Sequence, residues 1–108
     1  MITKGEIYLL PFPFSDLSNT KNRPSIILTD EFELGEDFVV CAITSHFSIK
    51  HRIPLNNTDM IQGSLPLKSY IHYSKLFTIN KDLLSEKIGK ISKQKSGQIF
   101  AKIQKLLS

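Results

Sequence analysis

The hydrophobic residues of the chain fall mostly in short runs separated by turn-forming residues, a pattern typical of β-strands. A first strand is predicted from Gly5 to about Phe12. Pro11 and Pro13 lack the N–H groups that an inner ladder position uses, so this end of the strand is predicted to lie at the edge of a sheet. A polar loop over residues 15–22 follows.

The middle of the chain predicts three more strands separated by polar segments. Pro24 opens a predicted strand that continues through the run SIIL, residues 25–28, and residues 30–37, with five acids, form a predicted solvated turn. The run FVVCAITS, residues 38–45, is too continuously apolar for a half-exposed strand and is predicted to be buried on both faces. A short strand over residues 52–55 precedes a predicted loop over residues 56–63.

The C-terminal part of the chain predicts further extended segments. SYIHY and KLFTI, within residues 69–79, indicate extended chain that breaks at Ser74 or Lys75. After a short turn, SEKIGKI at residues 85–91 indicates a final strand. Gly89 inside this strand predicts a β-bulge.

The last residues form a predicted amphipathic helix from the N-cap Ser92 to Leu107, with lysines on its polar face. Its apolar positions are Ile99, Phe100, Ile103, Leu106 and Leu107. Many short strands followed by one helix predict a mainly β fold with a C-terminal helix. In this fold a strongly bent sheet forms a small, partly open barrel.

The length of 108 residues predicts one domain that spans residues 1–108. No apolar run approaches the roughly 18 residues that a membrane span requires, and MITKGEIYLL lacks the pattern of a signal peptide. We therefore expect a cytoplasmic protein with no membrane partner. The one cysteine, Cys41, lies in an apolar run and is predicted to be a small buried hydrophobic residue.

The net charge of +4 conceals an asymmetry along the chain. Residues 1–40 hold seven acids and three bases, whereas residues 41–108 hold eleven bases and three acids. The cationic C-terminal part is suited to a polyanion, nucleic acid above all, or to an acidic protein. Solvated lysines that keep a small domain soluble explain the same composition.

Missing motifs disfavour several classes of enzyme. The sequence has no GxGxxG or Walker loop, no HExxH, no pair of cysteines and no GxSxG elbow. His46, His51 and His72 share no ligand spacing on one helix face, so we expect neither a metal site nor a cofactor.

Polar residues at predicted strand ends are the candidates for chemistry. Arg23 precedes Pro24, which biases its backbone toward the extended region and holds its side chain on a constrained stem at the loop exit. Thr44 ends the buried strand on the face of Ala42, and alternation sends Ser45 to the opposite face. Taken singly, Arg23 also fits a surface charge, and Thr44 a residue that caps the core.

Three segments together resemble one family of proteins. GEIYLLPFPFSDLSNTKNRPSIIL, CAITS and GSLPLKSYIHYSKLFTINKDLLSEKIGKIS are similar to the MazF/PemK family of toxin endoribonucleases from type II toxin–antitoxin modules, in its PFPF-bearing branch. The resemblance covers nearly the whole chain in the expected order. It implies an SH3-like barrel with a C-terminal helix, the MazF/CcdB-like toxin fold. It also implies a homodimer that binds RNA across its surface and a cognate antitoxin that blocks the RNA groove.

The resemblance also implies a reaction. Family members cut single-stranded mRNA at short sequence motifs without a metal, by attack of the ribose 2′-hydroxyl on the adjacent phosphate, and the cleavage inhibits growth. Arg23 matches the family's RP arginine and is expected to brace the phosphate in the transition state, because a guanidinium supplies planar, charged donors. Thr44 matches the hydroxyl residue of the second motif and is expected to hydrogen-bond the scissile phosphate. The need for a 2′-hydroxyl restricts the reaction to RNA.

One departure from the family's pattern leaves the general base open. In several members the strand that corresponds to SYIHYSKLF carries an arginine and, two residues on, an acid, where this chain has His72 and Ser74. His72 is a candidate base because an imidazole titrates near neutrality, and His46, beside the Thr44 motif, is the alternative. Asp16 is a third candidate if its loop folds over the cleft.

Aromatic and basic residues around the motifs are suited to stacking unpaired bases and neutralising phosphates. The predicted RNA-binding residues are Phe12, Phe14, Asp16, Lys21, Asn22, Ser45, Phe47, Lys50, His51, Arg52 and Ser74. Two other functions fit the same fold: a non-catalytic poison of DNA gyrase, like the CcdB relatives, and a plain SH3-like RNA-binding module. The gyrase poisons depend on a tryptophan-containing tail, and this chain has no tryptophan.

Overall fold

The computed structural model describes residues 1–11, 22–47 and 50–108. The elements are β1 (Glu6–Pro11), β2 (Asn22–Ile27), β3 (Asp37–Thr44), β4 (Arg52–Leu55), β5 (Met60–Gly63), β6 (Ser69–Asn80), β7 (Glu86–Ile91) and α1 (Lys93–Leu107), with short 3-10 helices at Asn57–Asp59 and Lys81–Leu83. Within this part of the chain the strands form one antiparallel sheet in the order β4-β6-β3-β2-β1-β7-β5.

The sheet is strongly curled. Flat strands about 4.8 Å apart would give a wide, thin layer, whereas the molecule measures 32 × 32 × 31 Å with α1 packed on the sheet. The predicted mainly β fold, in which a bent sheet forms a half-open barrel with one C-terminal helix, is confirmed.

Alternating strand residues build two apolar clusters, one on each face of the sheet. The larger cluster contains Ile7, Ile26, Leu28, Cys41, Ile43, Ile53, Leu55, Leu65, Ile71, Ile91 and Ile99. The smaller contains Leu10, Ile27, Phe38, Val40 and Ala42. Because β3 supplies residues to both clusters, the predicted burial of this strand on both faces is confirmed.

The helix α1 covers the face with the larger cluster. It begins as predicted at the N-cap Ser92, whose hydroxyl accepts a hydrogen bond from the Lys95 N–H at 3.2 Å. Ile99 from the helix is fully buried in the cluster. The Lys95 ammonium lies 3.5 Å from the Asp59 carboxylate and donates to the Pro54 carbonyl at 3.2 Å, which fixes the first turn of α1 to the strands.

The strand β1 lies between β2 and β7 in the sheet, but its last residues pair with β2 alone. Pairing with β7 ends at Leu9, opposite Glu86, whereas pairing with β2 continues to Pro11, opposite Asn22. Among the described residues, Pro11 therefore pairs with β2 alone, and no strand on its other side needs the missing N–H. The predicted edge is confirmed at Pro11. The rest of the predicted first strand, with Phe12, lies outside the described residues.

The predicted loop over residues 56–63 is wrong for its second half. Met60–Gly63 forms the edge strand β5, in which Met60 pairs with Ile91 and Gly63 pairs with Gly89 of β7. Most side chains of β5 are exposed, so the segment lacks the apolar alternation that marks a strand in sequence. Backbone pairing with a strand distant in sequence holds it extended.

The predicted break at Ser74 or Lys75 is also wrong, because β6 continues through twelve residues. The strand bulges at this place. Cys41 of β3 pairs with Leu76, and the next residue, Ala42, pairs with His72, so the residues between His72 and Leu76 leave the β3 ladder. The polar residues that suggested a break occupy this bulge.

A second bulge lies in β7, as predicted at Gly89. Ile7 of β1 pairs with Gly89, and the next residue, Tyr8, pairs with Lys87, which leaves Ile88 as the extra residue. The bulge therefore shifts the pairing of β7 with β1 directly next to Gly89, which pairs with β5 on its other side.

Replacing Gly89 by alanine is expected to lower the free energy of unfolding by about 1–3 kcal/mol. The added Cβ would lie 2.5 Å from the Met60 Cε and 2.6 Å from the Gln62 carbonyl oxygen, and the backbone of β5 cannot move aside as a side chain can. Gly97→Ala is the matched control: nothing lies within 4 Å of its Cβ, so in mid-helix it is expected to stabilise by about 0.5–1 kcal/mol. Urea unfolding measures both changes. A Gly89→Ala variant as stable as the parent would contradict the close approach of β5.

Candidate functional site

Arg23 lies within the strand β2 and is half-buried. The strand begins at Asn22, two residues before the predicted start at Pro24. Arg23 is therefore the second residue of the strand, whereas the prediction placed it at the end of the preceding loop. The reason is the pairing with β1, in which Arg23 lies opposite Leu10 and Pro24 lies opposite Leu9. The backbone of Arg23 is thereby fixed by the sheet as well as by the following proline.

Thr44 is the last residue of β3 and lies at the same end of the sheet as Arg23. The β2–β3 ladder pairs Ser25 with Ala42 and Ile27 with Val40. Continuing that register by two residues brings Arg23 opposite Thr44. Because opposed residues of an antiparallel pair share a face, both side chains start from the face that carries Ala42.

The two residues contribute to the wall of one cavity, the Arg23–Thr44 cleft, with a volume of about 220 Å³. Its other lining residues are Leu9, Pro24, Ile43, Ser45, Leu65, Pro66, Leu67, Ser69 and Ile88. The cleft therefore combines a guanidinium residue and hydroxyl residues with a largely aliphatic wall. Such a wall suits the flat face of an unpaired base beside a phosphate held at the polar end.

The Thr44 hydroxyl is oriented by the backbone that follows it. Its oxygen accepts a hydrogen bond from the His46 N–H at 3.1 Å. A hydroxyl that accepts one bond still has its own hydrogen to donate. The Thr44 hydroxyl can therefore donate its hydrogen to an anionic oxygen.

One wall of the cleft, the segment from Leu65 to Leu67, is held by an amide. The Asn57 side chain accepts from the Leu65 N–H at 2.9 Å and donates to the Leu65 carbonyl at 3.3 Å. The Asn57 side-chain amide thus makes the two hydrogen bonds to Leu65 that the backbone of a paired strand would otherwise make. The sequence gives no periodic signal for such a pairing, and the prediction did not include it.

The strand β6 continues the polar face beside Thr44. Tyr70 pairs with Thr44, and His72 pairs with Ala42, so both share the face of Thr44. Arg52 of β4 pairs with His72, and its guanidinium carbon lies 5.5 Å from the centre of the Tyr70 ring, a cation–π distance. Tyr70 was not predicted, although its position two residues before His72 would have placed it on the same face.

His72 is the candidate base whose environment favours the neutral imidazole. Partial burial lowers its pKa below the usual value, and the positive charges of Lys75 and His51 lower it further. The imidazole is therefore mainly unprotonated at pH 7. Neither His72 nor His46 lines the cleft. His46 is exposed, and its backbone N–H contacts the Thr44 hydroxyl.

The remaining predicted RNA-binding residues are divided by the structure. Ser45 lines the cleft. The exposed residues that do not line it are Asn22, Phe47, Lys50, His51, Arg52 and Ser74. Those that lie outside the described residues are Phe12, Phe14, Asp16 and Lys21.

Glu6, the first residue of β1, has a structural role. Its carboxylate is buried and lies 3.3 Å from the Lys87 ammonium. It also accepts hydrogen bonds from the Tyr8 hydroxyl at 3.3 Å and the Thr3 hydroxyl at 3.2 Å. Burial and the nearby Glu6 charge raise the pKa of Tyr8. These contacts join β1 to β7 and to the N-terminal segment.

Cys41 is fully buried, and burial raises its pKa to about 12. The prediction of a small buried hydrophobic residue is confirmed. In residues 1–11, 22–47 and 50–108, no group of three or more His, Cys, Asp or Glu side chains is arranged to hold a metal ion. Across the same residues, no helix combines the length and apolar character needed to cross a membrane.

Solved structures similar to this chain include endoribonucleases, MazF toxins and complexes with antitoxins. The closely superimposable structures include an endoribonuclease from Mycobacterial species in complex with its cognate antitoxin, with 17% identity, a TM-score of 0.76, and coverage of 99% of this chain and 95% of that chain. A MazF toxin from Mycobacterium tuberculosis has 20% identity, a TM-score of 0.72 and coverage of 94% and 95%. MazF in a MazE–MazF complex from Deinococcus radiodurans has 14% identity, a TM-score of 0.75 and coverage of 98% and 95%.

At these identities the superpositions establish a shared fold, and the sequence establishes the family. No curated protein sequence matches the chain. The sequence profile of one family, described as PemK-like, MazF-like toxin of type II toxin–antitoxin system, matches residues 3–107. The chain therefore belongs to the PemK-like, MazF-like toxin family of type II toxin–antitoxin systems.

Proposed function

We propose that the protein is a metal-independent endoribonuclease that cuts single-stranded mRNA at a short sequence motif and thereby inhibits growth. The observation that carries the proposal is the placement of Arg23 and Thr44 at one end of neighbouring strands, on the wall of one cleft. Membership of a toxin family supports the growth inhibition. The endoribonuclease activity of structurally similar proteins supports the reaction class.

In the proposed reaction the ribose 2′-oxygen attacks the adjacent phosphorus, and the bond to the 5′-oxygen of the next nucleotide breaks. The products are a 2′,3′-cyclic phosphate and a 5′-hydroxyl, whose oxygen takes up a proton from water as it departs. Negative charge accumulates on the phosphorane oxygens, where the Arg23 guanidinium supplies charged donors and the Thr44 hydroxyl donates a hydrogen bond. Both groups act on the transition state, so their removal is expected to lower kcat more than it raises KM.

We assign the general base to His72, which takes the proton from the 2′-hydroxyl. His72 shares the face of Thr44, and its lowered pKa keeps the imidazole neutral at physiological pH. Tyr70 and Arg52, next to Thr44, hold a neighbouring nucleobase of the RNA by stacking. His46 is the competing base, since its backbone already contacts the Thr44 hydroxyl.

The proposal includes the setting in which a family toxin works. The protein is a single cytoplasmic domain that acts as a homodimer, and a cognate antitoxin protein inhibits it. Solved complexes of structurally similar toxins with their antitoxins support the partner. The net positive charge of the chain suits both RNA and an acidic antitoxin.

Arg23→Ala is expected to reduce kcat for RNA cleavage by roughly 10²–10³-fold, since the variant loses a charged donor at the phosphorane. Thr44→Val is expected to reduce it less, because it loses one neutral donor. The assay incubates the purified protein and a mixed-sequence RNA in EDTA and maps the ends by primer extension. Lys93→Ala, an exposed charge on α1, and Thr78→Val, an exposed threonine on β6, are the matched controls and are expected to leave kcat unchanged.

Cleavage by Arg23→Ala at the parent rate would refute the site assignment. An absence of cuts by the parent protein would refute the proposed reaction, and two further measurements then separate the alternatives. Inhibition of DNA gyrase would indicate a CcdB-like poison, and salt-sensitive RNA binding would indicate a binding module.

The rate of cleavage is expected to fall with decreasing pH below about 6.5, the usual pKa of histidine. His72 is active only when unprotonated, and its pKa is lowered, so activity persists above that pKa and is lost as the pH falls through it. Lys75→Gln removes one positive charge near His72 and is expected to raise this pKa and move the acid limb of kcat/KM to higher pH. His46→Gln is the control that should leave the limb in place. Loss of the acid limb and of most of kcat in His46→Gln, with an unmoved limb in Lys75→Gln, would assign the base to His46.

A further inference from the structure

A second cavity, the His51 cavity, lies between the start of β4 and the C-terminal half of α1. Its volume is about 230 Å³, and its lining residues are His51, Tyr73, Lys102, Lys105 and Leu106. None of them lines the Arg23–Thr44 cleft. Of these five residues, only His51 is among the predicted RNA-binding residues.

The strand side of this cavity is fixed by the backbone and by ring packing. The Tyr73 N–H donates to the His51 carbonyl at 3.2 Å, and the two rings meet edge to face with centroids 5.7 Å apart. His51 adopts a φ of 53°, in the left-handed region that non-glycine residues seldom enter. This conformation joins the preceding segment to β4 while keeping the imidazole beside the bulge of β6.

The helix side contributes two ammonium groups. Lys102 and Lys105 are three residues apart on α1 and therefore share one helix face. Among the described residues, the ion pairs of lysine involve Lys4, Lys87 and Lys95, and no acid lines the cavity. In its described lining the cavity is thus a concave surface with several donors and no carboxylate, which favours an anion with several acceptor oxygens.

Strand pairing connects Thr44, at the cleft, with the start of β4, where this cavity lies. Tyr70 lies beside Thr44, and Arg52 stacks on Tyr70. Arg52 is also the residue that follows His51 in the chain. The positive charge of His51 reaches His72, whose pKa it helps to lower, so both positions belong to one electrostatic field.

We propose that the His51 cavity binds a backbone phosphate of the single-stranded RNA substrate, at a nucleotide away from the bond that is cut. This inference rests on the proposed endoribonuclease function and extends its substrate site to α1. Lys102 and Lys105 neutralise the phosphate, and the Tyr73 hydroxyl and His51 supply directed hydrogen bonds. The subsite strengthens binding of long substrates and takes no part in the chemical step.

The test uses the double variant Lys102→Gln/Lys105→Gln and two RNA substrates. One is a long oligonucleotide, and the other contains only the few nucleotides around the mapped cleavage position. For the long RNA, KM is expected to rise roughly three- to tenfold with kcat unchanged, and for the short RNA both parameters stay unchanged. The slope of log Kobs against log salt for the long RNA is expected to become shallower by about 0.7, the value for one phosphate contact on a single strand.

The matched control is Lys81→Gln/Lys93→Gln, which removes the same charge from exposed positions outside the cavity. If it changes KM as much as the cavity variant does, net charge is responsible and the subsite is refuted. Equal effects on long and short RNA, or an unchanged salt slope, also refute it. Loss of binding to an acidic antitoxin with unchanged RNA parameters would show a protein-binding surface instead.

A separate measurement distinguishes this inference from the proposed function. Inorganic phosphate is titrated into the parent protein, and NMR follows the side-chain signals of Tyr73, Lys102 and Lys105. Saturable shifts of all three signals are expected in the parent, and the Tyr73 shift is expected to be absent in the double variant, even if the protein cuts no RNA. Cleavage of RNA without these shifts would leave the proposed reaction standing and overturn the phosphate subsite.

Discussion

The register between β2 and β3 is the constraint on which the candidate site depends. It is fixed by side chains that are buried on opposite faces of the sheet, Ile26 against Cys41 and Ile27 against Val40. A slip of one residue would send these side chains to the wrong faces. It would also separate Arg23 from the register position opposite Thr44. Packing in two apolar clusters thus determines where a charged group and a hydroxyl meet.

Most of the fold could be predicted because its strands carry strong local signals. The apolar run of β3 and the amphipathic pattern of α1 identify their elements without tertiary information. The strand β5 has no such signal, since its side chains are mostly exposed and its pairing with β7 is non-local. The start of β2 was placed too late for a related reason, because pairing with β1 outweighs the local effect of Pro24.

The candidate site could be predicted only as far as sequence motifs reach. Arg23 belongs to the recognisable segment RP, and Thr44 belongs to AITS. Strand alternation predicted the face on which Thr44 lies. Tyr70 shares that face only through the register of β6 with β3. The two sides of the His51 cavity come from a strand start and a helix about fifty residues apart. Their meeting follows from the docking of α1, which no local pattern encodes.

The thiol of Cys41 can be used to detect the separation of β3 from β6. The thiol is fully buried between β3 and β6 and donates to the His72 carbonyl oxygen at 3.2 Å. Alkylating reagents attack the thiolate, which burial suppresses by raising the pKa to about 12. Modification therefore requires separation of the two strands that carry Thr44 and His72. The rate of labelling in native buffer reports the stability of this strand pair, independently of any assay of RNA cleavage.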